Sequence, residues 1–286
     1  MESDKFLITP MTQKMELKAG ESYTGTIKVA NPADATREFS FVAEVSPYGV
    51  VGEDYVADLK TKSNRSMIAD WITLEDANGT LEPNGTANIK YTITVPEDAP
   101  AGAQYAAIVV SQSKDEAKKS GMNVDNIVEI ASIIYGEVEG ETVMDGHILE
   151  NEVPGFSTTA PITVSAKFDN HGNVYDSAMI TIAAKNNITG EVYLPTENNE
   201  GFYEELILPD TTRAVERNVE GLPLLGIVHI EQSINYNGEV SKVEKDVIIC
   251  PVWFMVVAVI VVAALVALIT RLVIRHRRAK APLEIQ

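Results

Sequence analysis

The 286-residue chain carries 23 Lys+Arg against 41 Asp+Glu, a formal net charge of −18, with 45% hydrophobic and 22% charged residues. The apolar share excludes wholesale disorder, the acidity argues against a nucleic-acid partner, whose phosphates need a positive footprint, and a single cysteine, Cys250, excludes an intramolecular disulfide. The length suffices for two ordinary domains beside a membrane segment.

The chain starts Met1-Glu-Ser-Asp-Lys5, an acidic stretch with no apolar core of a secretory leader. Either a leader lies upstream of this sequence, or the chain inserts tail-first with its body in the cytosol. The second would push a basic tail across the bilayer, so a leader is the expectation. Beyond Lys5, period-two patterning dominates. Ile27 and Val29 alternate with polar neighbours, as do Phe39, Phe41 and Val45. Ile89, Tyr91, Ile93 and Val95 point one way and Lys90, Thr92 and Thr94 the other. Such alternation sets one strand face on a core and the other in water. Residues 105–110 are apolar throughout, the mark of a strand buried on both faces. Turn chemistry recurs between the runs: Lys18-Ala-Gly20, Asn31-Pro32, Asn78-Gly79, Asn84-Gly85 and Asn237-Gly238. Residues 66–71 give the one amphipathic helical stretch before the membrane segment.

A polar stretch over 113–126 predicts a long hairpin loop, followed by a strand over 127–135. The Gly136-Glu-Val-Glu-Gly-Glu-Thr142 segment is the predicted domain boundary. Beyond it alternation resumes in Ile162, Val164, Ala166 and Phe168, in Ile180 and Ile182, and in Val228, Ile230, Ile234 and Tyr236. Many short strands with regular turns predict β-sandwiches.

Residues 247–270 contain no charged side chain. About twenty helical residues span a hydrocarbon core of roughly 30 Å, so this run predicts a membrane helix anchored from Val252 through Ile269. Pro251 suits the first helical turn, and Trp253 and Phe254 suit the interface. Arg271, Arg275, Arg277, Arg278 and Lys280 come next as a basic flank. With Glu284 they give the last sixteen residues a net of +4, so the −18 of the whole chain becomes −22 on residues 1–270. Basic flanks stay cytoplasmic, which places the acidic body outside the cell.

Catalytic and metal signals are weak. His147, His171, His229 and His276 stand singly, without ligand spacing. Asp169, Asn170 and His171 before Gly172 read as a polar turn. Glu197, Glu200, Glu204 and Glu205 offer oxygen ligands but lack a calcium-loop spacing, and a solvated hairpin tip explains them. There is no Gly-x-Ser-x-Gly elbow and no phosphate loop. Asn64, Asn78, Asn84 and Asn187 start Asn-x-Ser/Thr triplets, three of them at predicted turns. Cys250 reads as apolar packing at the outer membrane edge. No catalytic, cofactor or metal residue is assigned.

Two passages carry a family resemblance. One is Leu17-Lys-Ala-Gly-Glu-Ser-Tyr-Thr-Gly-Thr-Ile-Lys-Val-Ala-Asn-Pro32, with Leu81-Glu-Pro-Asn-Gly-Thr-Ala-Asn-Ile-Lys-Tyr-Thr-Ile-Thr-Val-Pro96 and Ala99-Pro-Ala-Gly-Ala-Gln-Tyr-Ala-Ala107; the other is Phe168-Asp-Asn-His-Gly-Asn-Val174 with Leu208-Pro-Asp-Thr-Thr-Arg213. Together they resemble the WxL-interacting proteins of Gram-positive cell surfaces over most of residues 8–249. The chain departs from that pattern at Arg65-Ser-Met-Ile-Ala-Asp-Trp-Ile72. The resemblance implies a first domain associated with peptidoglycan and a second with surface or host proteins.

The expectation is an all-β protein of two tandem immunoglobulin-like β-sandwiches, 6–138 and 139–249, then a transmembrane helix over 251–270 and a basic cytoplasmic tail over 271–286. It is a non-enzymatic surface scaffold whose partners are the membrane and surface proteins and/or peptidoglycan, and it needs no cofactor. The rival readings are an accessory ectodomain of an exporter or sensor complex, and a wall-glycan enzyme with paired acids.

Overall fold

A computed structural model describes residues 6–113, 128–187, 189–193 and 201–279. The predicted loop therefore lies almost wholly outside the described residues, as do Glu197, Glu200 and Lys280. Apart from one short 3-10 helix, the described chain is strands followed by a single terminal α-helix. It divides into two compact units. The first comprises Met1–His147, Phe168–Ser177 and Leu206–Ala214; the second comprises Ile148–Lys167, Ala178–Glu205 and Val215–Gln286.

In the first unit, β1 (Leu7–Thr9), β3 (Ser22–Ala30), β9 (Thr86–Thr94) and β7 (Ile72–Glu75) form one sheet in that spatial order. The second sheet runs β2 (Thr12–Leu17), β11 (Glu129–Val138), β10 (Gly102–Gln112), β4 (Phe39–Pro47) and β8 (Asn78–Leu81), and β5 (Gly49–Val51) pairs with β6 (Val56–Asp58) apart from both. Ile27, Val29, Ile89 and Ile93 of the first sheet share one core with Phe41, Ile108, Val110 and Ile134 of the second. This is a sandwich, and its inward residues are those the alternation marks. Gly25 lies opposite Tyr91 in the β3–β9 ladder. A Cβ there would overlap the tyrosine ring, so the glycine makes room for it.

β10 is the central wall. Ala106, Ile108 and Val110 face the sandwich core. Ala103, Tyr105 and Ala107 face a second apolar cluster. The uninterrupted apolar run is thus a strand covered on both sides. β11 is antiparallel to β10 and parallel to β2; it extends to Val138, so Gly136 belongs to a strand paired with Gln104.

Two local readings change. Asn78-Gly79 is not a turn: both residues lie in β8, opposite Val42 and Phe41. A Cβ on Gly79 would stand 3.1 Å from the Phe41 ring, so this glycine serves close packing in a strand. Residues 66–71 shorten to a 3-10 helix, Met67–Trp71, with Ile68 and Trp71 buried three residues apart on one face. Asn84 takes a positive φ of 64° before Gly85, so that turn forms where its sequence predicts.

The second unit draws on a three-stranded sheet, β12 (Gly146–Glu152), β14 (Ile162–Asn170) and β18 (Thr211–Val219), and on a larger sheet. The larger sheet runs β13 (Phe156–Ser157), β20 (Glu239–Ile249), β19 (Gly226–Tyr236), β15 (Asp176–Asn186) and β16 (Val192–Tyr193), with β17 (Phe202–Ile207) also on β15. Ile162, Val164 and Ala166 are buried on the first of these sheets, and Ile180, Ile182, Val228, Ile230, Ile234 and Tyr236 on the second. Asn237 and Gly238 both take positive φ, 47° and 77°, the two-residue reversal that a twisted β19–β20 hairpin requires.

α1 (Val252–Ala279) is 28 residues long, about 42 Å at 1.5 Å per residue. An 18-residue window within its Val252–His276 stretch has a mean hydropathy of 3.2, and the stretch is long and apolar enough to cross a membrane. Pro251 stands just before the helix, its carbonyl accepting hydrogen bonds from the backbone N–H groups of Phe254 (3.0 Å) and Met255 (3.2 Å). The helix continues through Arg271, Arg275, Arg277 and Arg278 instead of ending ahead of them.

Candidate functional site

A concave feature of the first unit is built from tyrosines. Five of the ten in the chain, Tyr48, Tyr55, Tyr105, Tyr135 and Tyr175, belong to the cluster on the outer face of β10. Tyr105 and Tyr135 are paired across β10 and β11, so their rings stand on the same face. They meet edge to face at 5.5 Å, and Tyr48 packs on both, at 6.5 Å from Tyr105 and 6.0 Å from Tyr135. Tyr175 extends the chain of rings, 6.1 Å from Tyr135. Edge-to-face geometry sets the positive rim of one ring against the negative face of the next.

Polar groups frame the rings. The Tyr55 hydroxyl accepts a 2.9 Å hydrogen bond from the backbone N–H of Leu208 and pairs with the Thr211 hydroxyl. The Arg213 guanidinium lies 4.7 Å from the centroid of the Tyr55 ring. Arg65 donates Nε to Asp210 at 3.0 Å and reaches the Gly172 and Asn173 carbonyls at 3.4 Å. Its own carbonyl accepts a 2.6 Å bond from the Tyr105 N–H. The Asn173 carbonyl accepts from the Ala103 N–H at 2.7 Å. A Cβ on Gly102 would collide with that Asn173 oxygen, so glycine is required at this approach.

A cavity of about 250 Å³ opens onto the cluster, lined among others by Tyr48, Tyr105, Arg65, Ser63, Thr211 and Leu208. Burial pushes the Tyr105 phenol well above its usual range, and burial, then the neighbouring Tyr48, does the same to Tyr135. Burial also raises Tyr55, against the hydrogen bonds from Thr211 and Leu208. All three stay neutral at physiological pH and keep a hydroxyl to donate. The Tyr105 hydroxyl is buried and has no hydrogen-bond partner among the described residues. Nothing in the sequence patterning singles out this site. Its one trace is that a tyrosine, Tyr105, opens an otherwise aliphatic run.

The residues singled out from the sequence lie elsewhere. Val252, Trp253, Phe254 and Ile269 are exposed along α1, with Trp253 and Phe254 edge to face at 5.8 Å. Arg271 and Arg275 are exposed near its end. Asp169 and Asn170 end β14 instead of forming the expected turn. The polar turn begins at His171, where the Asn170 Oδ1 accepts from the Gly172 N–H at 2.9 Å and its amide donates to the Val174 carbonyl at 2.9 Å. His147, His171 and His229 each meet one aspartate, Asp145, Asp169 and Asp246. Among the described residues no group of three His, Cys, Asp or Glu stands close enough to hold a metal. Glu205 is no part of a solvated tip. It is buried in β17, and its carboxylate is taken up by Arg217.

The chain matches no protein-family model and no curated protein. Among solved structures it is similar to the class 5 fimbriae chaperone CfaA, with 12% identity and a TM-score of 0.40 over 84% of this chain and 99% of that one. It is similar to the CsuC–CsuE chaperone–tip adhesion subunit pre-assembly complex from Csu pili of Acinetobacter baumannii, with 11% identity and a TM-score of 0.39 over 85% of this chain and 99% of that one. It is likewise similar to the Salmonella enterica SafA pilin–SafB chaperone complex, with 12% identity and a TM-score of 0.39 over 87% and 98%. Similarities of this size leave the argument to the chain's own strands and side chains.

Proposed function

We propose that the chain is a membrane-anchored surface protein that binds a protein partner, taking one of the partner's side chains into the tyrosine-lined cavity. The observation that carries this reading is Tyr105, which lines the cavity and whose buried hydroxyl has no hydrogen-bond partner among the described residues. A buried donor left unmade costs about 1–3 kcal/mol, which a bound acceptor recovers. Size favours a side chain over a free small molecule: about 250 Å³ falls below the roughly 300–1,000 Å³ typical of ligand pockets. Tyrosine and arginine are also the residues on which protein interfaces concentrate their energy.

The role is read as binding: ring faces, hydroxyls, the Arg65–Asp210 pair and Asp58 line the cavity, a mixture suited to holding a side chain. The resemblance to WxL-interacting proteins supports an outward-facing body on a Gram-positive surface, where peptidoglycan is a second possible contact. The apolar α1 supports the anchor, and the arginines of its last turns support a cytoplasmic C-terminus.

The test places a photo-cross-linking amino acid at Val51, an exposed residue lining the cavity, in intact cells. The expected product is a covalent adduct with a protein, reduced several-fold by Tyr105→Phe. An adduct with wall glycan alone, or none, overturns the reading. Protease added to intact cells is expected to degrade the strands; their survival until lysis would place the body in the cytosol.

A further inference from the structure

The solvent face of the β19–β20 hairpin changes character along its length. Ile227 pairs with Ile248, His229 with Asp246, Glu231 with Glu244 and Ser233 with Lys242. Alternate pairs of a ladder share one face, and Val228, Val247 and Ile249 are buried on the opposite one. Farther from α1 the face is ionic. Lys242 bridges Glu231 at 3.0 Å and Glu244 at 2.6 Å, and Asp246 accepts from Asn187 at 3.1 Å and pairs with His229 at 2.9 Å. In the last row before the helix it turns apolar. Ile227 is 43% exposed and Ile248 48%. Beside them Phe156 of β13, 49% exposed, pairs with Ile248.

Position along the chain says what covers this row. Ile248 is four residues from Val252, where α1 begins, so it lies within about 14 Å of the helix start even at full extension. β13 holds β20 to that point: the Ile248 N–H donates to Gly155 at 3.1 Å and the Cys250 N–H to Ser157 at 2.9 Å. Leu224 and Leu225, both exposed, immediately precede β19 at the same end. Apolar groups on interfacial elements sink about 5–10 Å into the boundary between headgroups and acyl chains. The division into ionic rows away from the helix and an apolar row beside it matches the polarity gradient of a bilayer surface.

We infer that the Phe156–Ile248–Ile227 row is a lipid-contact platform that rests in the headgroup layer of the leaflet entered by α1. The inference builds on the anchor reading of α1. It assigns to the end of the second unit a partner of stated chemistry, the phospholipid surface, and makes the membrane a contact of the strands as well as of the helix.

The experiment uses the full chain in the Cys250→Ser background, one copy per phosphatidylcholine–phosphatidylglycerol nanodisc. An environment-sensitive fluorophore is attached in turn at Ile227→Cys, Ile248→Cys, Ile260→Cys or Val240→Cys. The expected result is quenching at Ile260 by acyl-chain nitroxide lipid, at least twofold quenching at Ile227 and Ile248 by headgroup nitroxide lipid, and none at Val240 at the far end of the hairpin. Adding Phe156→Ser and Ile227→Ser is expected to abolish quenching at Ile248 while leaving Ile260 and the far-ultraviolet circular dichroism unchanged. Quenching at Ile260 with none at Ile227 and Ile248 overturns the platform and leaves the anchor standing; the row then belongs to a second copy or another protein. Absence of quenching at Ile260 overturns both readings.

Discussion

Arg65 and Asp210, 145 positions apart, are joined by a 3.0 Å hydrogen bond from the guanidinium Nε to the carboxylate. The two partners are unequal. The arginine side chain is only 18% exposed and the aspartate 55%. Half-exposed ion pairs contribute little, about 0–1 kcal/mol, so the arginine's value lies in its additional contacts with the Gly172 and Asn173 carbonyls. Arg65→Ala is expected to lower stability by about 1–3 kcal/mol and Asp210→Asn by less than about 1 kcal/mol, read from urea midpoints. Equal losses would show that the pair, not the arginine, holds the segment.

Removing the Tyr105 hydroxyl separates folding from binding. Tyr105→Phe deletes a buried donor without a partner among the described residues and keeps the ring contacts with Tyr48 and Tyr135. Stability is expected to rise by about 1 kcal/mol, while capture of the partner falls. A destabilised variant would mean that the hydroxyl already has a use in folding.

Alkaline pH tests the same cluster. Tyr105 and Tyr135 have phenols raised above the usual value of 10.0 by burial. Above that value the unfolded chain releases protons that the folded chain retains. The stabilisation from keeping these groups neutral is therefore complete below about pH 10 and is lost as pH rises beyond it. Tyrosinate absorbance is expected to appear for these residues together with unfolding, and Tyr105→Phe to make the decline shallower. Ionisation of both in a still-folded protein would contradict their burial.

Glycines divide by what stands over them. Gly25→Ala drives a Cβ into the Tyr91 ring, whose hydroxyl is tied to Gln13 at 2.7 Å. Overpacking of this kind costs about 1–3 kcal/mol. Gly49→Ala meets nothing within 4 Å and is expected to stay within about 0.5 kcal/mol of the parent. Thermal or urea denaturation of the two variants side by side decides the point.

Local rules carry far in this chain. The alternation of Ile89, Tyr91 and Ile93 gives their buried face correctly, the Asn237-Gly238 reversal has the backbone its residues favour, and the uncharged run after Cys250 is helical. Misreadings arise where distant residues decide. Gly79 looks like half of a turn until Phe41, from another strand, covers it. Glu205 looks solvated until Arg217 reaches it. The tyrosine site is drawn from β10, β11 and loops far apart in the chain, so no window of sequence contains it. Arg65 stands out in the sequence only as a departure from a familiar pattern.

A strand with apolar neighbours on both faces has no tolerant side. Each residue of β10 from Gly102 to Val110 answers to one core or the other, or to the ladders with β11 and β4. Losing the strand would open both clusters to water at once. The tyrosine cavity and the sandwich behind it should therefore melt as one thermodynamic event, and an agent that grips the cavity should protect backbone amides deep in the opposite core from exchange.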